Sequence, residues 1–233
     1  MALCNCQLAL TTPKNFRAMR YITLAFLSFL LLTVGQTLAQ KPFVEGVVSY
    51  RISIESPEHT IIHGQYIFTL KGSQIRKELK MENGYEETEL INTQNNTIYN
   101  LQIRDGKKYA IQLSMNDALK RQSKYTGYTV SNEQKEGKSI AGYAVYRAML
   151  KYKDGTATEI QYTHDWYPSQ SMTFERFPDA RFMPMTYAYT DEHGITMRFE
   201  AVKVSAAPVE NSVFRIPVGY TMISNEEYEQ MNR

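Results

Sequence analysis

From Val44 to Ser114 the chain repeats one pattern six times: a run of residues that alternate apolar and polar, then a short polar break. Alternation with a period of two places one set of side chains on one face of a strand, so the runs read as β-strands with a preferred inner side. The first, Val44 to Ile54, aligns Val48, Tyr50, Ile52 and Ile54. Gly64 to Leu70 aligns Tyr66, Phe68 and Leu70, and Gln74 to Met81 aligns Ile75, Leu79 and Met81 with most charges facing out. Glu87 to Asn92, Thr97 to Ile103 (Thr97, Tyr99, Leu101) and Lys108 to Ser114 (Tyr109, Ile111, Leu113) follow. Ser56-Pro57, Lys71-Gly72, Asn83-Gly84, Thr93 to Asn96 and Arg104 to Lys107 separate them, with the small and turn-favouring residues that tight reversals need. Successive strands joined this way form an antiparallel meander.

The rhythm then changes. Asn116-Asp117 can cap a short helix running to about Lys124, and the polar stretch Asn132 to Lys138 reads as a connection. Ser139 to Trp166 reads as a hairpin around Lys153-Asp154-Gly155, because Asp and Gly tolerate the positive φ of such turns. Its first arm sets Ala144, Tyr146, Ala148, Leu150 and Tyr152 against Tyr143, Val145, Arg147, Met149 and Lys151, as in a central strand covered on both faces. Ser169 to Pro184 is irregular yet loaded with Met172, Phe174, Phe177, Phe182 and Met183, a composition unlike a solvated loop. A last hairpin turns at Asp191 to Gly194, and Ser224 with Glu227 has capping-box spacing for a short terminal helix. The expectation is a mostly β fold: one strongly curved antiparallel sheet of about ten strands, a half-open β-barrel, with one or two short helices on its concave side. A flat β-sandwich is the alternative.

The N-terminus reads as a secretory signal peptide over residues 1–39. Lys14, Arg17 and Arg20 precede an apolar run from Ile22 to Val34, and Gly35 to Ala39 offers small residues for cleavage after Ala39. That run is short of the ~20 apolar residues a membrane-spanning helix needs. The n-region is long, and Met19 would give a conventional start. Cleavage leaves a single domain over 40–233, in the periplasm or associated with the envelope. It removes three bases and no acid, so the whole-chain excess of 26 Lys and Arg over 24 Asp and Glu becomes 23 against 24, a net charge of −1. Such a chain lacks the basic footprint of a nucleic-acid binder. Cys4 and Cys6 leave too, so stability must come from the core and not from disulfides.

No residue pattern demands catalysis, a cofactor or a metal. His59 and His63 are four apart, but Pro57 and Gly64 bracket them in what reads as a loop. His164-Asp165 at a strand end is the one pair worth testing as a catalytic dyad, and a turn pair is the plainer reading. Glu86, Glu87 and Glu89 read as a solvated strand edge. The stretch from Met172 to Met185 has two readings: ordinary core laid across the open side of the sheet, or a lid over an apolar cavity.

Phe43-Val44-Glu45-Gly46-Val47-Val48-Ser49-Tyr50, Ile140-Ala141-Gly142-Tyr143, Trp166 and Phe214-Arg215-Ile216-Pro217-Val218-Gly219-Tyr220, behind a signal, resemble a family of uncharacterised secreted β-proteins of Gram-negative bacteria. That family is similar in fold to the outer-membrane lipoprotein carrier. The resemblance implies a non-enzymatic envelope protein that binds a lipid or other apolar ligand, with a lipid or a lipidated protein as partner. The long helical lid of a dedicated carrier is here reduced to the Asn116 to Lys124 segment. The side chains expected to line a ligand cavity are Tyr50, Ile52, Ile54, Tyr66, Phe68, Leu70, Tyr109, Ile111, Met172, Phe174 and Phe177. The alternatives are an envelope protein–protein interaction or structural module without ligand, and, third, a hydrolase.

Overall fold

A computed structural model describes residues 40–231; the signal-peptide expectation falls outside the described residues. Twelve strands form one open, curved sheet. The meander expected from the sequence comes first: β2 (Glu45–Glu55), β3 (Ile61–Lys71), β4 (Gln74–Met81), β5 (Glu86–Asn92), β6 (Thr97–Arg104) and β7 (Lys107–Leu113), each antiparallel to the next. The second half adds β8 (Thr129–Ile140), β9 (Tyr143–Lys151), β10 (Ala157–Thr163), β12 (Met183–Thr190) and β13 (Thr196–Ser205), and β13 pairs back onto β2. A four-residue strand, β14 (Thr221–Ser224), lies parallel to β7. The order is β14-β7-β6-β5-β4-β3-β2-β13-β12-β10-β9-β8, so the edge strands β14 and β8 do not meet and the sheet is not closed into a barrel. Two short strands, β1 (Lys41–Phe43) and β11 (Trp166–Pro168), pair separately.

The strand count exceeds the expected ten because β14 and β8 join the sheet at its two edges. Asn132 to Lys138 is no connection but part of β8, a polar edge strand exposed almost throughout. It has no apolar face to reveal it; its pairing with β9, interrupted by two register shifts, holds it in place. Consequently the Asp154-Gly155 hairpin, β9 with β10, is not central but sits next to that edge. The turn itself forms as expected, with Gly155 at φ 87°. Charged Glu133, Lys135, Glu136 and Lys138 along β8 discourage strand addition there.

One face of the sheet, the inner face, carries the main core. Register aligns Val48, Tyr50 and Ile52 of β2 with Phe68 and Tyr66 of β3, and with Val204, Ala201 and Phe199 of β13. Helix α1 (Met115–Ser123) adds Met115 and Ala118 to that core. Its cap is Ser114, whose hydroxyl accepts from the Asp117 amide, two residues before the expected Asn116. Helix α2 (Asn225–Gln230) has the expected capping box between Ser224 and Glu227, and its Tyr228 ring meets Tyr109 at 6.4 Å.

Residues 169–182 lie against this inner face and close it. Phe174 meets Phe68 edge-on at 4.9 Å and Phe177 meets Tyr187 at 5.1 Å, while Phe182 lies 4.6 Å from Tyr162. Hydrogen bonds tie the segment down: Gln122 Nε2 donates to the Ser171 carbonyl at 2.6 Å, and the Tyr152 hydroxyl donates to the Arg176 carbonyl at 3.1 Å. Tyr50, fully buried, contacts Phe68, Phe174, Tyr187 and Phe199 and donates its hydroxyl to the Pro184 carbonyl at 2.8 Å. Tyr50→Phe keeps the ring and strands that carbonyl. It is expected to cost about 1–3 kcal/mol in urea unfolding, and a change below about 0.5 kcal/mol would contradict the role given to this bond.

Candidate functional site

The covering segment does not fill the inner face completely. Between Thr173 to Phe177 and the sheet runs a groove of about 330 Å³, within the range of small-molecule sites. It crosses β5, β4, β3, β2, β13 and β12 in spatial order. Five interstrand steps of ~4.8 Å give it a span of about 24 Å along the sheet. The middle is apolar, with Tyr66, Ile52, Met197 and Phe199 on the floor and Phe174 and Phe177 above. Tyr187 stacks on Phe199 at 4.5 Å, and Tyr66 meets the same ring edge-on at 5.6 Å.

The two ends differ. At the β5 end Lys77 pairs with Glu89 at 3.1 Å, both largely buried. Glu87 accepts from Asn100 Nδ2 at 2.6 Å and from the Tyr85 hydroxyl at 3.0 Å. The reading of Glu86, Glu87 and Glu89 as a solvated edge is therefore corrected for Glu87 and Glu89, while Glu86 is exposed. β5 is an interior strand, and its alternation turns Glu87 and Glu89 onto the inner face beside Ile91. At the β12 end the Arg176 guanidinium lies over the Tyr189 ring at 3.9 Å and over Tyr125 at 4.4 Å. Near the middle, the buried Thr173 hydroxyl has no hydrogen-bond partner among the described residues.

Of the side chains expected to line a cavity, Ile52, Tyr66, Phe174 and Phe177 come together in the groove. Tyr50, Phe68 and Leu70 are fully buried in the core beside it, Met172 is buried within the covering segment, and Ile54 is partly buried near the end of β2. Tyr109 and Ile111 share the inner face but lie on β7, four strands from β3, with Tyr109 against α2. The sequence reading missed Lys77, Thr173, Arg176, Tyr187, Tyr189, Met197 and Phe199. For Lys77 a signal existed: it is in phase with Ile75, Leu79 and Met81 on β4, so period-two arithmetic turns it inward.

The other candidates are dispersed. His164 Nδ1 lies 2.8 Å from Gln40 Nε2 and Nε2 lies 3.2 Å from Glu133, while Asp165 is exposed and its carbonyl accepts from the Lys41 amide at 3.1 Å. His164 and Asp165 thus do not form a dyad. His59 is exposed and paired with Glu55 at 2.9 Å, and His63 is on β3 and not in a loop. Among the described residues no group of three His, Cys, Asp or Glu side chains is placed to hold a metal ion, and no helix is long and apolar enough to cross a membrane.

Burial pushes the hydroxyls of Tyr50, Tyr66 and Tyr187 well above the ordinary range, and for Tyr66 the nearby Glu89 and Glu87 carboxylates add to it. Unfolded tyrosine ionises near pH 10. Folded values above that mean the contribution to stability is intact below about pH 10 and declines as pH rises beyond it. Ultraviolet titration is expected to show these phenols ionising only as the protein unfolds. Gradual ionisation of all tyrosines in the folded state would contradict the burial described.

No protein-family model matches the chain, and no curated protein matches it. Among solved structures, the chain is similar to the crystal structure of a LolA superfamily protein from Nitrosomonas europaea, with 12% sequence identity over 76% of this chain and 93% of that chain, at a TM-score of 0.38.

Proposed function

We propose that the protein binds a small apolar or amphiphilic molecule in the groove between residues 173–177 and the inner face of the sheet, and acts as a non-enzymatic binding protein of the cell envelope. One observation carries this reading: between the covering segment and the inner face the aromatic core leaves a channel of about 330 Å³, apolar in its middle and with polar groups at both ends. Protein interiors ordinarily close such gaps, because each unfilled stretch forfeits dispersion contacts. An apolar chain seated there would recover them at roughly 25 cal/mol per Å² of surface removed from water. The volume suits one acyl chain or a comparably small molecule and not a bulky multi-chain lipid. The signal pattern ending at Ala39 supports an extracytoplasmic site of action.

The test is organic extraction and mass spectrometry of the mature protein purified from its native envelope, combined with displacement of a fluorescent fatty acid. A co-purifying lipid, or displaceable binding tighter than about 100 μM, is expected. Met197→Trp, which places an indole in the groove from β13, is expected to weaken probe binding at least about tenfold without unfolding the protein. Absence of both lipid and probe binding would replace this reading with that of an interaction module.

A further inference from the structure

Arg176 is the unusual cation of this molecule. Arg51, Arg76, Arg147 and Arg198 each pair with a glutamate; Arg176, like Arg121, Arg181 and Arg215, has no carboxylate partner among the described residues, but it alone of these four is seated over two aromatic rings. Its guanidinium is instead layered on the faces of Tyr189 and Tyr125. Ring contacts of this kind occupy the flat faces of the group and leave its N–H edges available as donors. They also hold the side chain in place, so little conformational freedom remains to be lost when an anion binds. Lys124, over the same Tyr125 ring at 5.0 Å, adds a second positive charge.

Resting on the groove as the binding site, we propose that Arg176 selects an anionic head group, a carboxylate or phosphate monoester, on a single-chain amphiphile whose tail lies over Phe199, Ile52 and Tyr66. The opposing consideration is the acid count of the groove, where Glu87, Glu89 and Glu175 outnumber Lys77 and Arg176. Distance decides against it. Glu87 and Glu89 are on β5, five strands from the Tyr189 ring that seats Arg176, and Glu89 is already neutralised by Lys77. The head-group end and these two carboxylates are thus at opposite ends of the groove. Nearer the rings Glu175 is exposed to solvent, Asp154 lies close to Lys124 and Asp191 lies close to Tyr189, so what favours an anion here is the seated guanidinium and not an excess of positive charge. The head group therefore meets the Arg176 donors, and the tail runs away from them toward β3.

Calorimetric titration of the mature protein with one alkyl chain carrying a carboxylate, a phosphate monoester, a methyl ester or a hydroxyl, below micelle-forming concentrations, tests this. The two anions are expected to bind about 10- to 100-fold tighter than the ester and the alcohol. Arg176→Gln is expected to abolish that preference, so that the two anions bind the variant no tighter than the ester does. Equal affinity of all four for the unaltered protein, or a preference that survives Arg176→Gln, would overturn the assignment. So would inorganic phosphate or acetate binding as tightly as the long-chain anions, since the site would then read the anion without a tail. Binding by none of the four chains would instead remove the groove reading itself.

Discussion

The buried hydroxyl of Tyr50 is the point on which the inner layer depends. It donates to the Pro184 carbonyl, and its ring touches Phe174 of the covering segment together with Phe68, Tyr187 and Phe199 from three strands. One side chain therefore joins β2 to β12 by a hydrogen bond and holds the covering segment by ring contact. A curved sheet offers its inner residues too little surface to bury one another, so residues 169–182 have to supply the second layer. They do so with aromatic rings that meet mostly edge-to-face, which fixes orientation as well as contact. The same rigidity explains why the groove persists: Phe174 and Phe177 are committed to Phe68 and Tyr187 and cannot collapse into the channel.

Much of the sheet is legible from local chemistry. Asn83-Gly84, Asp105-Gly106 and Asp154-Gly155 each mark a reversal, and each glycine takes a positive φ there. The capping box at Ser224 is equally plain. What escapes is what local chemistry does not encode. β8 has no buried face, so nothing in its side chains distinguishes it from a loop; backbone pairing alone makes it a strand. β14 is parallel to a partner more than a hundred residues earlier, and four residues carry no readable period.

The site was legible in part, for related reasons. Ile52 and Tyr66 follow from alternation, while Phe174 and Phe177 follow from an apolar load no solvated loop would carry. Arg176 sits in an irregular segment with no period, and only tertiary packing reveals the two rings that seat it. Glu87 and Glu89 misled for a different reason. A cluster of charges ordinarily marks a solvated surface, but here Lys77 and Asn100 on the flanking strands satisfy the carboxylates on the inner face.

The outer face is spanned by the stretch between β13 and β14. Glu45 accepts from the Val209 amide, Lys71 donates to the Val209 carbonyl, Arg76 donates to the Val213 carbonyl, and Ile216 and Tyr220 cover Leu90, Leu101 and Ala110. This crossing carries the chain from the middle of the sheet to its far edge, where β14 takes up the open side of β7. For a polypeptide that emerges N-terminus first, β7 therefore exposes unpaired backbone groups until about a hundred further residues have been delivered. The six-strand meander can assemble early from neighbouring contacts, yet its outer strand stays open to other chains for all of that interval. The protein's exposure to misassembly is thus set less by how fast its hairpins form than by how late its final strand arrives.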